Sequence, residues 1–120
     1  MHLTEQTARS FAGQWIAAWN SHDLAAIMEL YAADIQFFSP YIIKLGMNAE
    51  GVISDKQELE IYFKKALDTY QDLHFVLFET LAGAGSLILY YQSVNDRIAA
   101  EMMELDESGR ICLVKAHYNL

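Results

Sequence analysis

Ser54-Asp55-Lys56-Gln57-Glu58-Leu59-Glu60-Ile61-Tyr62-Phe63-Lys64-Lys65-Ala66-Leu67-Asp68-Thr69-Tyr70 runs straight into Gln71-Asp72-Leu73-His74-Phe75-Val76-Leu77-Phe78-Glu79-Thr80-Leu81, and the apolar period changes between them. In the first stretch Leu59, Tyr62, Phe63, Ala66, Leu67 and Tyr70 recur at helical spacing, with Lys and Glu on the other face. That pattern predicts an amphipathic helix. Ser54 to Gln57 has the spacing of a capping box at its start. From Leu73 onward the chain reads as strands: Leu73–Leu81, Ser86–Val94, Arg97–Leu105 and Ile111–Asn119. Gly83-Ala84-Gly85, Asn95-Asp96 and Asp106-Glu107-Ser108-Gly109 separate them, and these residue types favour tight turns. Successive strands joined by short turns predict an antiparallel meander.

Working back toward the start, Phe11, Trp15, Ala18 and Trp19 mark one face of a helix over Thr4–Trp19, with Thr4 as N-cap and Glu5 in the first turn. Asn20-Ser21-His22-Asp23 interrupts it, because short polar side chains compete for the helical backbone. Leu24, Ile27, Met28 and Tyr31 suggest a second, shorter helix. Ile35–Ser39 has strand composition and Pro40 should end its ladder. Tyr41–Gly51 is expected to be a loop, with a short strand near Val52-Ile53. Three helices before a meander predict an α+β fold with helices packed on one face of a curved sheet. Residues 1–120 read as one domain, without repeats or linkers.

Hydrophobic residues make up 53% of the 120, so the surplus must line a pocket or a subunit interface. The net charge is −8 with only eight Lys and Arg, scattered along the chain. Phosphate-gripping proteins need clustered cations, so neither nucleic acid nor an anionic membrane is an expected partner. A lone cysteine, Cys112, allows no intrachain disulfide and reads as a small buried hydrophobe. Met1-His2-Leu3-Thr4-Glu5-Gln6 lacks the pattern of a secretory signal, and no apolar run reaches membrane-spanning length, which suggests a cytoplasmic protein.

Trp19-Asn20-Ser21-His22-Asp23-Leu24, Leu30-Tyr31-Ala32-Ala33-Asp34 and Phe37-Phe38-Ser39-Pro40 resemble the opening of SnoaL-like and ketosteroid-isomerase-like members of the nuclear-transport-factor-2-like (NTF2-like) superfamily. Gly51 through Tyr62-Phe63 resembles their third helix. Glu104 to Ile111 and Ala116-His117-Tyr118 resemble their last hairpin. The resemblance implies a cone in which the sheet wraps the long helix and leaves an apolar pocket open at one end. It also implies a homodimer formed through the outer sheet face. The superfamily holds isomerases, cyclases, dehydratases, transport factors and oligomerisation domains, so the fold alone does not select a function.

Ketosteroid isomerases use a carboxylate base with an oxyanion hole of a tyrosine and a protonated aspartic acid. By the resemblance, the base position is Ser39, the tyrosine position Trp15 and the protonated-acid position Glu101. A serine without a partner base does not abstract a carbon-bound proton near neutral pH. Isomerisation by the usual base is therefore not expected. Glu101 shares a strand face with Arg97, Ala99, Met103 and Leu105, and amid apolar neighbours its pKa should rise. The alternative places Glu101 on solvent opposite Lys115. On the last strand Cys112, Val114, Ala116 and Tyr118 should share the inward face, and His117 the outer one. Tyr118 is either a ligand hydrogen-bonder or a satisfied core tyrosine. Arg97 either anchors an acidic ligand group or pairs with a surface carboxylate. Glu101 is thus the candidate catalytic acid or base, and Trp15, Ser39, Met103, Val114 and Tyr118 are candidate ligand-binding residues for a small hydrophobic molecule. His2, His22, His74 and His117 show no metal-binding spacing, and neither metal nor cofactor is expected. Catalysis, pure ligand binding and a self-filled dimerisation scaffold all remain open at the level of sequence.

Overall fold

The computed structural model describes residues 3–120, so His2 lies outside the described residues. Helix α1 (Glu5–Asn20) begins where expected. Thr4 Oγ1 accepts from the Thr7 N–H at 3.1 Å, and Thr7 Oγ1 accepts from the Thr4 N–H at 2.9 Å. The helix buries Ala8, Ala12, Trp15 and Trp19. Helix α2 (Leu24–Met28), capped by Asp23, is shorter than its apolar stripe suggested. Tyr31 instead opens strand β1 (Tyr31–Phe38), because its neighbour Leu30 accepts a backbone hydrogen bond from Ile111 at 2.8 Å.

Ser39-Pro40 ends β1 and also starts a helix. Ser39 Oγ accepts from the Tyr41 N–H at 3.2 Å, and Pro40 occupies the first turn of α3 (Pro40–Lys44). Proline suits that position since its missing N–H would have no helical partner. The expected loop over Tyr41–Gly51 therefore begins as a short fourth helix. Strand β2 (Val52–Ile53) follows. Helix α4 (Lys56–Thr69) is capped by Asp55, whose Oδ1 accepts from the Gln57 N–H at 3.0 Å. The capping residue is thus one position later than the Ser54 spacing indicated.

Strands β3 (Val76–Ala82), β4 (Ser86–Gln92), β5 (Ile98–Leu105) and β6 (Ile111–Tyr118) form the meander. Leu73 and Phe75 are buried, with His74 exposed between them, but this stretch stays out of the ladder. Asn20 holds it instead: Nδ2 donates to the Phe75 carbonyl at 2.9 Å and Oδ1 accepts from the Phe75 N–H at 2.7 Å. This two-point clamp ties the end of α1 to the start of β3.

The six strands form one sheet in the order β2-β1-β6-β5-β4-β3. All neighbours are antiparallel except β1 and β6, which run parallel. Register shifts fall between Tyr31 and Gln36, Leu77 and Glu79, and Glu104 and Leu105. Bulges of this kind bend a strand and raise its twist, here wrapping the sheet about α1 and α4. The last shift corrects one expectation. Leu105 pairs with Ile111 and Glu104 with Leu113, so Cys112 is the extra residue and falls out of alternation. It is partly exposed, with Sγ 3.5 Å from the Glu104 carbonyl, rather than buried beside Val114. Among the described residues no helix is long and apolar enough to cross a membrane.

Candidate functional site

Glu101 pairs with Leu89 on β4 and Ala116 on β6, placing it mid-sheet. Alternation along β5 turns Ala99, Glu101, Met103 and Leu105 inward, and all four are buried. Glu101 is only 2% exposed, which removes the solvent-facing alternative. Lys115, offered as its surface partner, lies opposite Met102 instead.

The two carboxyl oxygens differ. Oε1 accepts from the Tyr91 hydroxyl at 2.7 Å. Oε2 is buried and has no hydrogen-bond partner. Loss of hydration disfavours the charged form. Burial accordingly raises the Glu101 pKa from 4.5 to about 7, against the opposing pull of the Tyr91 hydrogen bond. Phenols face this carboxyl from several elements: Tyr31 on β1, Tyr62 on α4, Tyr91 on β4 and Tyr118 on β6. Burial, with the nearby negative charge of Glu101, pushes all four phenol pKa values up. The tyrosines are therefore neutral donors and acceptors, and Glu101 is the group that titrates near neutrality.

A cavity of about 50 Å³ opens beside this cluster. Glu101, Tyr91 and Tyr118 line it together with the aromatic residues Trp15, Trp19 and Phe75. Trp15 stacks on Phe75 with centroids 5.5 Å apart, and its Nε1 donates to the Tyr31 hydroxyl at 3.0 Å. Tyr41, Tyr70 and Leu45 also line it. Tyr41 packs edge-on to Tyr118, centroids 4.7 Å apart. Besides Glu101 Oε2, the buried Trp19 Nε1 and Tyr41 hydroxyl lack hydrogen-bond partners. Buried polar groups are nearly always paired, and these three all belong to residues that line the one cavity.

Of the residues singled out in the sequence, Trp15, Glu101 and Tyr118 line the cavity. Ser39, Met103 and Val114 do not. Ser39 is buried, caps α3, and its hydroxyl acts on the Tyr62 and Tyr118 phenols. Met103 and Val114 are cross-strand partners in the core, both 0% exposed, two residues further along β5 toward its turn. Packing on both sides leaves them no open surface. Tyr91, Tyr62, Tyr41 and Trp19 were not singled out as binders. For Tyr91 the expected turn misleads: a two-residue Asn95-Asp96 turn would pair Tyr91 with Ala100 on the outer face, but the turn spans Val94–Asp96, with the Ser93 N–H bonded to the Arg97 carbonyl, and this register puts Tyr91 beside Ala99 on the inner face.

The curved six-stranded sheet with helices packed against it defines an NTF2-like, cystatin-like fold. Similar structures include an NTF2-like protein of unknown function from Cytophaga hutchinsonii ATCC 33406, with 12% identity, TM-score 0.71, and 99% of this chain and 93% of that one covered. A protein of unknown function with cystatin-like fold from Methylobium petroleophilum PM1 has 15% identity and TM-score 0.76, with 100% and 80% covered. The SnoaL-like domain family matches residues 12–105, and the chain belongs to that family. A SnoaL-like protein of unknown function from Burkholderia thailandensis E264 is 33% identical over 100% of both chains, with TM-score 0.94. No match is found among curated proteins.

Proposed function

We propose that the chain binds a small, mainly apolar molecule and performs cofactor-free acid–base chemistry on it, of the isomerase or cyclase kind. Glu101 is the proton-transferring group. The observation that carries this reading is the unpartnered, buried Oε2 of Glu101, a residue that lines an aromatic cavity. A pKa of about 7 lets one carboxyl serve in either direction at neutral pH. Protonated, Oε2–H donates to a ligand carbonyl while Oε1 keeps its bond from Tyr91. Ionised, Oε2 accepts a proton from a neighbouring acidic C–H or O–H. By the resemblance Ser39 takes the position of the ketosteroid isomerases' base, and in this reading a single carboxyl both takes and returns the proton. The test is deuterium exchange at carbons next to the carbonyl of small cyclic ketones and enones, followed by NMR. Positioned acid–base groups contribute roughly 10²–10⁴-fold, so Glu101→Gln should slow exchange about 100-fold or more. Undiminished exchange in that variant removes Glu101 from the mechanism.

A second reading, a dimerisation scaffold whose pocket is filled by its own side chains, is favoured by the cavity volume. About 50 Å³ is small beside the ~300–1,000 Å³ of pockets for drug-sized ligands. Failure of any small apolar ligand to raise the melting temperature would select it. For a homodimer, the support is a row across the outer sheet face. Leu81, Ile88, Met102, Lys115 and Phe38 are successive cross-strand partners, and Phe78 packs on Tyr90 beside them with centroids 5.5 Å apart. Sedimentation of wild type and Ile88→Lys reads this directly: a dimer that becomes a monomer is expected, and a monomeric wild type refutes it.

A further inference from the structure

The two ends of the sheet differ. One is β2, two residues long. The other is β3, seven residues long, and among the described residues no strand pairs beyond it. A strand at a sheet edge holds unpaired backbone groups that template another chain, and proteins blunt such edges with short strands, charges, prolines or bulges. Shortness protects β2. Strand β3 has neither proline nor lysine, and its Val76, Phe78 and Leu81 are all exposed, Leu81 by 56%. Its one charged residue is Glu79.

The hairpin fixes which backbone groups of β3 are free. The Gly83 N–H donates to the Ser86 carbonyl at 2.7 Å. Behind it Ala82 pairs with Leu87, Leu81 with Ile88 and Thr80 with Leu89. Hydrogen-bonded pairs alternate with non-hydrogen-bonded ones in an antiparallel ladder. Gly83–Ser86 is bonded, so Leu81–Ile88 is bonded too, and Thr80 and Ala82 turn their N–H and C=O groups away from β4 toward the open edge. The Thr80 N–H is already taken: Glu79 Oε1 accepts from it at 3.0 Å. Glu79 also stands at the register shift between Leu77 and Glu79, where the regular ladder is interrupted. Its carboxylate therefore occupies the bond that an incoming strand needs and sets a charge beside it.

From this we infer that Glu79 guards β3 against edge-to-edge pairing with a second copy of this chain. The geometry specifies the pairing that it prevents. Two β3 strands related by a twofold axis and centred on Leu81 set Thr80 of each against Ala82 of the other, which matches the outward groups on the regular side of the bulge. Leu81 then faces Leu81 of the second copy, and Glu79 lies opposite Gly83 rather than opposite another Glu79. Apolar side chains directly opposed across a strand pair stabilise it, and like charges directly opposed do not. The edge is thus complementary to itself once the Thr80 N–H is released. The outer-face row Leu81, Ile88 and Met102 would continue across the joint. This holds whatever the cavity binds.

The experiment is sedimentation velocity over a concentration series of wild type, Glu79→Ala and Glu79→Gln. Freeing the Thr80 N–H in both copies should tighten association about tenfold or more in Glu79→Ala. Glutamine still accepts through its Oε1, so Glu79→Gln should stay close to wild type. Glu79 is exposed, and unchanged thermal melting of the variants separates association from unfolding. Disulfide trapping reads the location, with Cys112→Ser removing the native thiol. Directly opposed, non-hydrogen-bonded residues bring their Cα atoms to about 4.5 Å, within disulfide reach. Under mild oxidation Leu81→Cys should give a covalent dimer in the Glu79→Ala background, and Ile88→Cys, one strand further in, should not. If Glu79→Ala sediments like wild type, the guarding role is overturned. If Glu79→Gln associates as strongly as Glu79→Ala, the charge and not the hydrogen bond guards the edge, and the capping assignment is overturned. If the trap closes at Ile88 and not at Leu81, the chains meet through the outer face, and edge pairing is overturned.

Discussion

Replacing Glu101 with Gln should change how stability depends on pH, and the size of the change follows from burial. In the unfolded chain the carboxyl titrates at 4.5, and in the folded chain at about 7. Below pH 4.5 it is protonated in both states and adds no pH dependence. Between the two values the folded state holds one proton more than the unfolded state, so unfolding releases it and stability falls as pH rises. Above about 7 both states are ionised and the penalty is complete. At about 1.4 kcal/mol per unit, the shift costs the folded state ~3 kcal/mol by pH 8. Glutamine keeps the shape and still accepts from Tyr91, but it does not titrate. Urea unfolding of both proteins across pH 4.5 to 8 isolates the effect, because the other acids cancel in the difference. Wild type should lose ~3 kcal/mol relative to Glu101→Gln across that window, whatever constant offset separates them. A difference that stays flat would show that the Glu101 carboxyl is solvated, and the argument from its desolvation would fail.

Other consequences of the packing are open to the same unfolding assay. Asn20→Ala removes both hydrogen bonds to the Phe75 backbone and should cost ~2–3 kcal/mol, since each is worth about 1 and the buried backbone is left unpaired. Trp15→Phe strips the indole donor from the fully buried Tyr31 hydroxyl and should destabilise by ~1–3 kcal/mol; an unchanged midpoint would mean that the bond has no net worth. Asp55→Ala should cost ~1 kcal/mol and Ser54→Ala less than about half of that, because Asp55 caps α4; the reverse order would restore the Ser54 box.

The layout was readable in the sequence where one periodicity dominates. Helix α4 and the meander announce themselves because apolar spacing switches from helical to extended near Tyr70, and Gly and Asx residues mark each turn. Short elements were harder. Tyr31 continues the stripe of α2 yet belongs to β1, since its place is set by β6, which lies far away in sequence. Ser39-Pro40 ends a strand and begins a helix with the same two residues. Glu101 was found because alternation along one strand and the resemblance agree. Met103 and Val114 share its face, but alternation says inward and not whether a side chain meets space or another side chain. Cys112 shows the same limit, since one bulge reverses every assignment on its far side. The cavity's tyrosines come from β4, β6 and the helices α3 and α4, and their convergence is a property of the folded chain.

The parallel joint between β1 and β6 also governs the order in which the molecule can be made. A nascent chain exposes β1 early, when its only available neighbour is the two-residue strand β2. The long ladder that secures it is supplied by the final strand of the meander. Until β6 leaves the ribosome, β1 therefore presents an unpaired apolar edge that invites mispairing. Closure of the cone is therefore a late event, and any delay between the emergence of β1 and that of β6 lengthens the interval in which this edge is open to mispairing.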